Sequence, residues 1–356
     1  MGEKGVHFSY PSVSAALPNP ISSSDAARRD LAFGDFDGDG DVDLFVVATV
    51  PEDVSGQLGG VVWRTPDGWE VGPETPDALD PRHGFDAVPL DWDGDGDDEL
   101  YVVNDMGPQF GANVLLDFVD GQIVDITDRC MCGVATAAMS VTAADTNGDG
   151  AFDLHVGGGP RSFLLSLGDG TYVDARQASG IDGPAPLDMT GNVPLADVDN
   201  DGLPDAIVPY GDWWGGEFPA DALRYEAPVY LLLQDAVGRF SDVTPDAFPT
   251  EGSWRSALTR DVNDDGVLDV LLSQARGPPA WLVSEACTRG AWIEVDAPEG
   301  AIVEVFVGDR RWIARATTDE GAGASGVPRV HIGLGEVDTV DLVRVRQPGG
   351  TLYGSG

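Results

Sequence analysis

The chain has 356 residues, with 61 acids against 20 bases and a formal net charge of −41, which makes nucleic acid and anionic membrane surfaces poor partners. A hydrophobic content of 42% with 9 Trp and 13 Phe argues against disorder, and 47 Gly with 25 Pro, about a fifth of the residues, argues against long helices. No run of 18 apolar residues is present, so no membrane-spanning helix is expected.

In chain order, residues 6–13, Val-His-Phe-Ser-Tyr-Pro-Ser-Val, read as an isolated β-strand with no unit of their own. No secretory apolar region follows Met1, which fits either a cytosolic protein or a mature chain whose leader was removed. A pattern then repeats. A short apolar stretch (Leu31–Phe33, Val88–Leu90) leads into an Asp- and Gly-rich loop, and a β-rich stretch follows it (Leu44–Val47, Leu100–Val103, Ala206–Val208, Val270–Leu272). A third strand is expected at Gly60–Trp63, Val114–Leu116, Phe163–Leu165, Val229–Leu233 and Ala280–Val283. A fourth recurs at Trp69–Val71, Ile123–Ile126, Tyr172–Asp174 and Phe240–Val243, and the fifth unit lacks one.

The first residues of the five loops are 56, 54, 52 and 64 positions apart. Four-stranded units at that period predict an all-β fold, a β-propeller of five recognisable blades. The strand at 6–13 is expected to close the last blade and remove the exposed edges. Residues 1–290 form this propeller in the sequence reading, and residues 291–356 form a small second β domain of alternating short strands.

The loops carry the chemistry. They run Asp35, Asp37, Asp39, Gly40, Asp41, Asp43; then Asp91, Asp93, Asp95, Gly96, Asp97, Glu99; then Asp145, Asn147, Asp149, Gly150, Ala151, Asp153; then Asp197, Asp199, Asp201, Gly202, Leu203, Asp205; then Asp261, Asn263, Asp265, Gly266, Val267, Asp269. These are positions 1, 3, 5, 6, 7 and 9 of one pattern. Hard cations take roughly six to eight oxygen ligands, and carboxylates at alternate positions of a tight loop converge on one point. Glycine at position 6 permits the turn, and position 7 offers a backbone carbonyl whatever its side chain. An EF-hand would need Glu at position 12, where Val46, Val102, Val156, Val208 and Leu272 stand instead. Turn chemistry alone favours Asp and Gly, but it does not explain the same positions five times over. The expected ion is Ca²⁺, up to five per chain, with loop three the weakest because it has only three acids. Twenty-two of the 61 acids lie in these loops, so bound cations would relieve much of the self-repulsion. Calcium chemistry favours a secreted, periplasmic or cell-surface location.

Other motifs are weaker. Cys130 and Cys132, with Cys287, are an odd number: one bridge with a free thiol, small buried residues and a metal pair are the alternatives. Trp213 and Trp214, adjacent in a Gly-rich loop, read as a core cap or as a stacking platform for a sugar ring or protein. His7, His83, His155 and His331 lie in different units without partner motifs, so no enzyme is expected, with a propeller lyase or hydrolase as the alternative.

The loop pattern between strands resembles the FG-GAP or VCBS repeat of integrin α-subunit propellers over roughly residues 6–285. That resemblance implies calcium ligands at positions 1, 3, 5 and 9, with the carbonyl at position 7. The C-terminal stretch from Trp292–Val295 through Ile302–Val307 and Val330–Gly335 to Val340–Arg346 is similar to the ASPIC/UnbV module, which follows such repeats in the cartilage acidic protein family. It implies a scaffold binding an unidentified protein or matrix partner; a glycan partner rests on the Trp213–Trp214 loop alone, and a monomer is expected.

Overall fold

The computed structural model describes residues 27–49, 59–76, 83–183, 190–211, 228–236, 238–246, 248–249, 251–275, 277–284, 290–317 and 328–355. The expected closing strand at 6–13, Trp213 and Trp214, and Cys287 lie outside the described residues.

The described chain is all-β, with helices of four residues only at Gly107–Phe110, Thr127–Cys130 and Arg176–Ser179. Unit one is β1 (Ala27–Gly34), β2 (Asp43–Thr49), β3 (Gly59–Thr65) and β4 (Gly68–Glu74); unit two is β5 (Gly84–Leu90), β6 (Glu99–Asn104), β7 (Val114–Val119) and β8 (Gln122–Asp125). Unit three is β9 (Ala137–Ala144), β10 (Asp153–Gly159), β11 (Ser162–Ser166) and β12 (Tyr172–Asp174); unit four is β13 (Leu195–Ala196), β14 (Asp205–Pro209), β15 (Val229–Gln234) and β16 (Phe240–Asp242). Unit five, β17 (Trp254–Arg260), β18 (Asp269–Gln274) and β19 (Ala280–Leu282), has three strands among the described residues. Every unit is an antiparallel meander in sequence order.

The register repeats. Gly34 pairs with Asp43, Leu90 with Glu99, Ala144 with Asp153, Ala196 with Asp205 and Arg260 with Asp269, so each loop hangs from the same rung of its hairpin. Side chains alternate across each strand, and both faces of the second strands are buried. Phe45 and Val47 pack with Leu100, Val102 and Phe118 between units one and two; Tyr101 and Val103 pack with Leu154 and Val156 between units two and three. Phe163 meets Val208 and Phe240, and Ile207 meets Trp254 and Leu272, extending the series to unit five. Such strands read as continuous apolar runs, which is how Leu44–Val47 and Leu100–Val103 stand in the sequence.

Polar bonds tie units together five residues before loops one to four. Asp86 accepts from Val141 N (2.9 Å), Asn192 accepts from Ala257 N (2.9 Å) and donates to Ala257 O (2.7 Å), and Ser140 Oγ donates to Gly191 O (2.9 Å). Asp30, at the same offset in unit one, bonds Asp86. Cys130 and Cys132 form a disulfide with both residues buried, which selects the bridge among the three readings of these cysteines.

The C-terminal module has two sheets: β20 (Ala291–Asp296) with β23 (Arg329–Gly335), and the order β22 (Arg310–Arg315), β21 (Ile302–Val307), β24 (Leu342–Arg346), β25 (Leu352–Ser355). Val303, Val305, Val330, Ile332 and Leu334 form its core with Ile293, Val295 and Val345. The sequence reading lacked β22 and β25. Arg310–Arg315 carries three arginines, which hides its alternation: Arg310 and Arg311 are exposed, while Arg315 is turned to a contact with the repeats.

Candidate metal centres

All five loops are built by one set of hydrogen bonds. The position-1 carboxylate accepts the position-6 N–H: Asp35 from Gly40 (3.1 Å), Asp91 from Gly96 (3.4 Å), Asp145 from Gly150 (3.0 Å), Asp197 from Gly202 (2.7 Å) and Asp261 from Gly266 (2.6 Å). Position 5 accepts the N–H of position 7, where Asp41, Asp97, Ala151, Leu203 and Val267 stand. The position-9 carboxylate accepts the N–H of position 2, as Asp43 does from Phe36, Glu99 from Trp92 and Asp205 from Val198. The position-6 glycines have φ between 83° and 107°, a region closed to most side chains.

Carboxylates converge in three loops. Asp35, Asp37 and Asp39 bring one oxygen each within 4.8 Å of one another, as do Asp91, Asp93 and Asp95, then Asp95, Asp97 and Glu99, and then Asp197, Asp199 and Asp205. In loops three and five, Asn147 Nδ2 donates to Asp149 (3.1 Å) and Asn263 Nδ2 donates to Asp265 (3.0 Å), so an amide already satisfies the position-5 carboxylate. Asp145, Asp153, Asp261 and Asp269 are buried in those loops as their counterparts are in loop four.

These groups fit a hard divalent cation. Asp35 Oδ1 is buried without a hydrogen bond of normal geometry, and an anionic oxygen in that position costs free energy unless a charge faces it. Desolvation by burial pushes Asp43 and Asp197 up to about 7, Glu99 and Asp205 up to about 8, and Asp35, Asp145 and Asp153 up to about 6. The cause is common: the ionised form loses water and gains backbone N–H groups, with the Thr146 hydroxyl as well at Asp153, and neighbouring carboxylates oppose it. A cation held by the convergent carboxylates of loops one, two and four would supply the missing charge.

Two features escaped the sequence pattern. Asp98, at the unremarked position 8 of loop two, accepts from Asp35 N (3.0 Å) and joins loop two to loop one, while its own N–H donates to Asp35 O (2.8 Å). It also receives both terminal nitrogens of Arg315 at 2.7 Å each. The C-terminal module in fact touches every loop. Arg346 Nη1 donates to Asp91 Oδ2 (2.5 Å), Trp312 Nε1 to Gly202 O (2.9 Å), and His331 Nε2 lies 2.7 Å from Asn200 Oδ1. Gly349 packs on Gly40, Arg311 on Gly150 and Trp292 on Gly266, the last two close enough that a Cβ on the loop glycine would crowd them.

Between module and repeats lies a cavity of about 590 Å³, lined by β9, β13 and β17 on one side and by Glu294, Arg310, Trp312, Arg329 and His331 on the other. It contains histidine and arginine but no tyrosine among its lining residues. The described histidines are engaged in packing: His83 stacks on Phe110 (4.4 Å), His331 stacks on Trp292 (5.9 Å), and burial pushes His155 down to about 3 and His331 down to about 4.

Residues 91–156, which hold loops two and three, match the FG-GAP-like repeat, and residues 296–352 match ASPIC and UnbV. Cartilage acidic protein 1 of Homo sapiens is 26% identical over 272 residues, 72% of this chain and 37% of that protein. The Mus musculus protein is likewise 26% identical over 72% of this chain and 38% of its own length. The chain thus spans less than half the length of these curated relatives. Among solved structures, the V. cholerae biofilm matrix protein Bap1 is 15% identical with a TM-score of 0.30, over 93% of this chain and 60% of that one. A Bacillus licheniformis rhamnogalacturonan lyase is 15% identical with a TM-score of 0.33, over 95% and 74%. Likeness at that level carries no functional argument. Residues 91–156 thus carry an FG-GAP-like repeat and residues 296–352 an ASPIC and UnbV segment, and the chain is homologous to cartilage acidic protein 1.

Proposed function

We propose that this protein is an extracellular, calcium-stabilised binding or scaffold protein, with its five units arranged as a five-bladed β-propeller and Ca²⁺ held in the Asp loops. The observation that carries the reading is the repetition itself. Five hairpins hang their loops from the same rung, and loops one, two and four bring three carboxylates to a point. Calcium suits oxygen-only ligands in a flexible loop, and weak to moderate affinity suits an extracellular milieu. The five meanders in sequence order, each packed on the next through its second strand, support the propeller arrangement.

The same reading makes the protein a binder of a protein or matrix partner and assigns it no catalytic residue. In the cavity under the module, His331 Nδ1 lies 3.8 Å from Glu294. Thermal unfolding in chelator, then across a Ca²⁺ titration with Mg²⁺ as control, tests the metal reading. One site filled at 100 times its Kd adds about 2.7 kcal/mol, so three sites raise Tm by on the order of 10 °C. A Tm unmoved by Ca²⁺ in chelator-stripped protein, with metal analysis confirming that it was stripped, would overturn the proposal.

A further inference from the structure

The C-terminal module meets loop two differently from the other four. At loops one, three, four and five it contacts the position-6 glycine: Gly349 and Pro348 lie against Gly40, Arg311 against Gly150, Trp312 against Gly202 and Trp292 against Gly266. At loop two, nothing lies within 4 Å of the place a Cβ on Gly96 would take. There the module instead delivers charge. Arg346 reaches the position-1 carboxylate of Asp91 (2.5 Å), and Arg315 grips Asp98 through two bonds of 2.7 Å. Among the described residues, Arg311 and Arg344 form their ion pairs inside the module, on Glu304, and Arg329 does so on Glu294 and Asp296.

Loop two is also the most acidic, with six acids in nine residues (Asp91, Asp93, Asp95, Asp97, Asp98 and Glu99). Asp91 shares the convergence of Asp93 and Asp95. Its side chain is 6% exposed against 30% for Arg346, so the pair is only partly screened by water.

We propose that Arg346 is a built-in counter-cation of loop two, occupying Asp91 in place of part of a metal's coordination, so that this loop binds a divalent cation more weakly than loops one and four. Asp35 and Asp197, the position-1 residues of those loops, have no arginine within ion-pair distance among the described residues. A guanidinium within a few ångströms of a divalent ion repels it, and the carboxylate it holds is withdrawn from the ion. By linkage, an ion that does enter loop two weakens the Arg346 contact and with it the seat of the module at that corner. Among the described residues, loop two is then where a module ion pair on a position-1 carboxylate sets metal level against module docking.

The inference rests on the metal reading above, and the test separates the two. Ca²⁺ binding to the full chain is measured by titration calorimetry for the wild type, Arg346→Gln, Arg346→Lys and Arg344→Gln. Arg344→Gln removes the same charge two residues away from a side chain bonded to Glu304. The expected result is that one class of sites tightens about tenfold in Arg346→Gln, with the remaining sites unchanged, while Arg346→Lys and Arg344→Gln bind as the wild type does. Circular dichroism at saturating Ca²⁺ shows that each variant is folded, and Arg346→Asn replaces the Gln variant if that one is not. An Arg346→Gln isotherm identical to wild type overturns this inference and leaves the metal reading standing. Equal tightening in Arg344→Gln overturns it too, since the effect would then be net charge. No Ca²⁺ bound by any of the proteins overturns both.

Discussion

The most informative perturbation is the Arg315–Asp98 pair. Both side chains are 8% exposed, and two bonds of 2.7 Å join them. The attraction of Asp98 and its hydrogen bonds holds Arg315 above the usual guanidinium range despite desolvation by burial. Arg315→Met leaves Asp98 buried with only the Asp35 N–H to compensate its charge; Asp98→Asn leaves a buried guanidinium without its carboxylate. Each single change is expected to cost about 3–5 kcal/mol, because the unpaired partner carries the full desolvation penalty. The double variant removes both charges together and is expected to lose less than the sum of the singles by about 2–3 kcal/mol. Urea unfolding at saturating Ca²⁺, followed by tryptophan fluorescence, reads the effect, since Trp292 and Trp312 both sit at the contact with the loops. A single-variant loss on the order of 3 kcal/mol lowers the midpoint by on the order of 1 M urea. Additive losses, or a single-variant loss below about 1 kcal/mol, would refute the claim that this pair anchors the module to the repeats.

Two further outcomes are expected. Gly266→Ala should destabilise the protein more than Gly96→Ala: both positions have positive φ (83° and 107°) at a cost of about 1–3 kcal/mol, but only at Gly266 would the methyl overlap the Trp292 indole. Equal urea midpoints for the two variants would contradict the docking footprint. Thiol titration in denaturant should give one reactive thiol before reduction and three after it, from the single Cys130–Cys132 bridge and the chain's 3 Cys; three thiols before reduction would remove the bridge.

Much of the fold was legible in the residues. The Asp loops announce their hairpins because glycine at position 6 and Asx at positions 1, 3 and 5 are dictated locally, by backbone φ and by side chains bonding their own loop's N–H groups. Strands such as Leu44–Val47 and Leu100–Val103 follow from apolar runs that only burial on both faces satisfies. The difference between the loops was legible in part: Asn147 and Asn263 mark the two whose position-5 carboxylate is bonded by an amide, although loop five had no fewer acids than loop four.

What the sequence determined by itself, then, is everything set by short-range geometry: the repeat, its hairpins, the candidate ligands and the class of ion they suit. Tertiary structure alone decided that Asp98 joins loops one and two, that Arg315 and Arg346 reach Asp98 and Asp91 across more than 200 residues, and that the loop glycines are also landing points for the module. No local pattern encodes such pairs, because an arginine on a strand looks the same in sequence whether it meets water or a carboxylate brought to it by the packing of a distant domain.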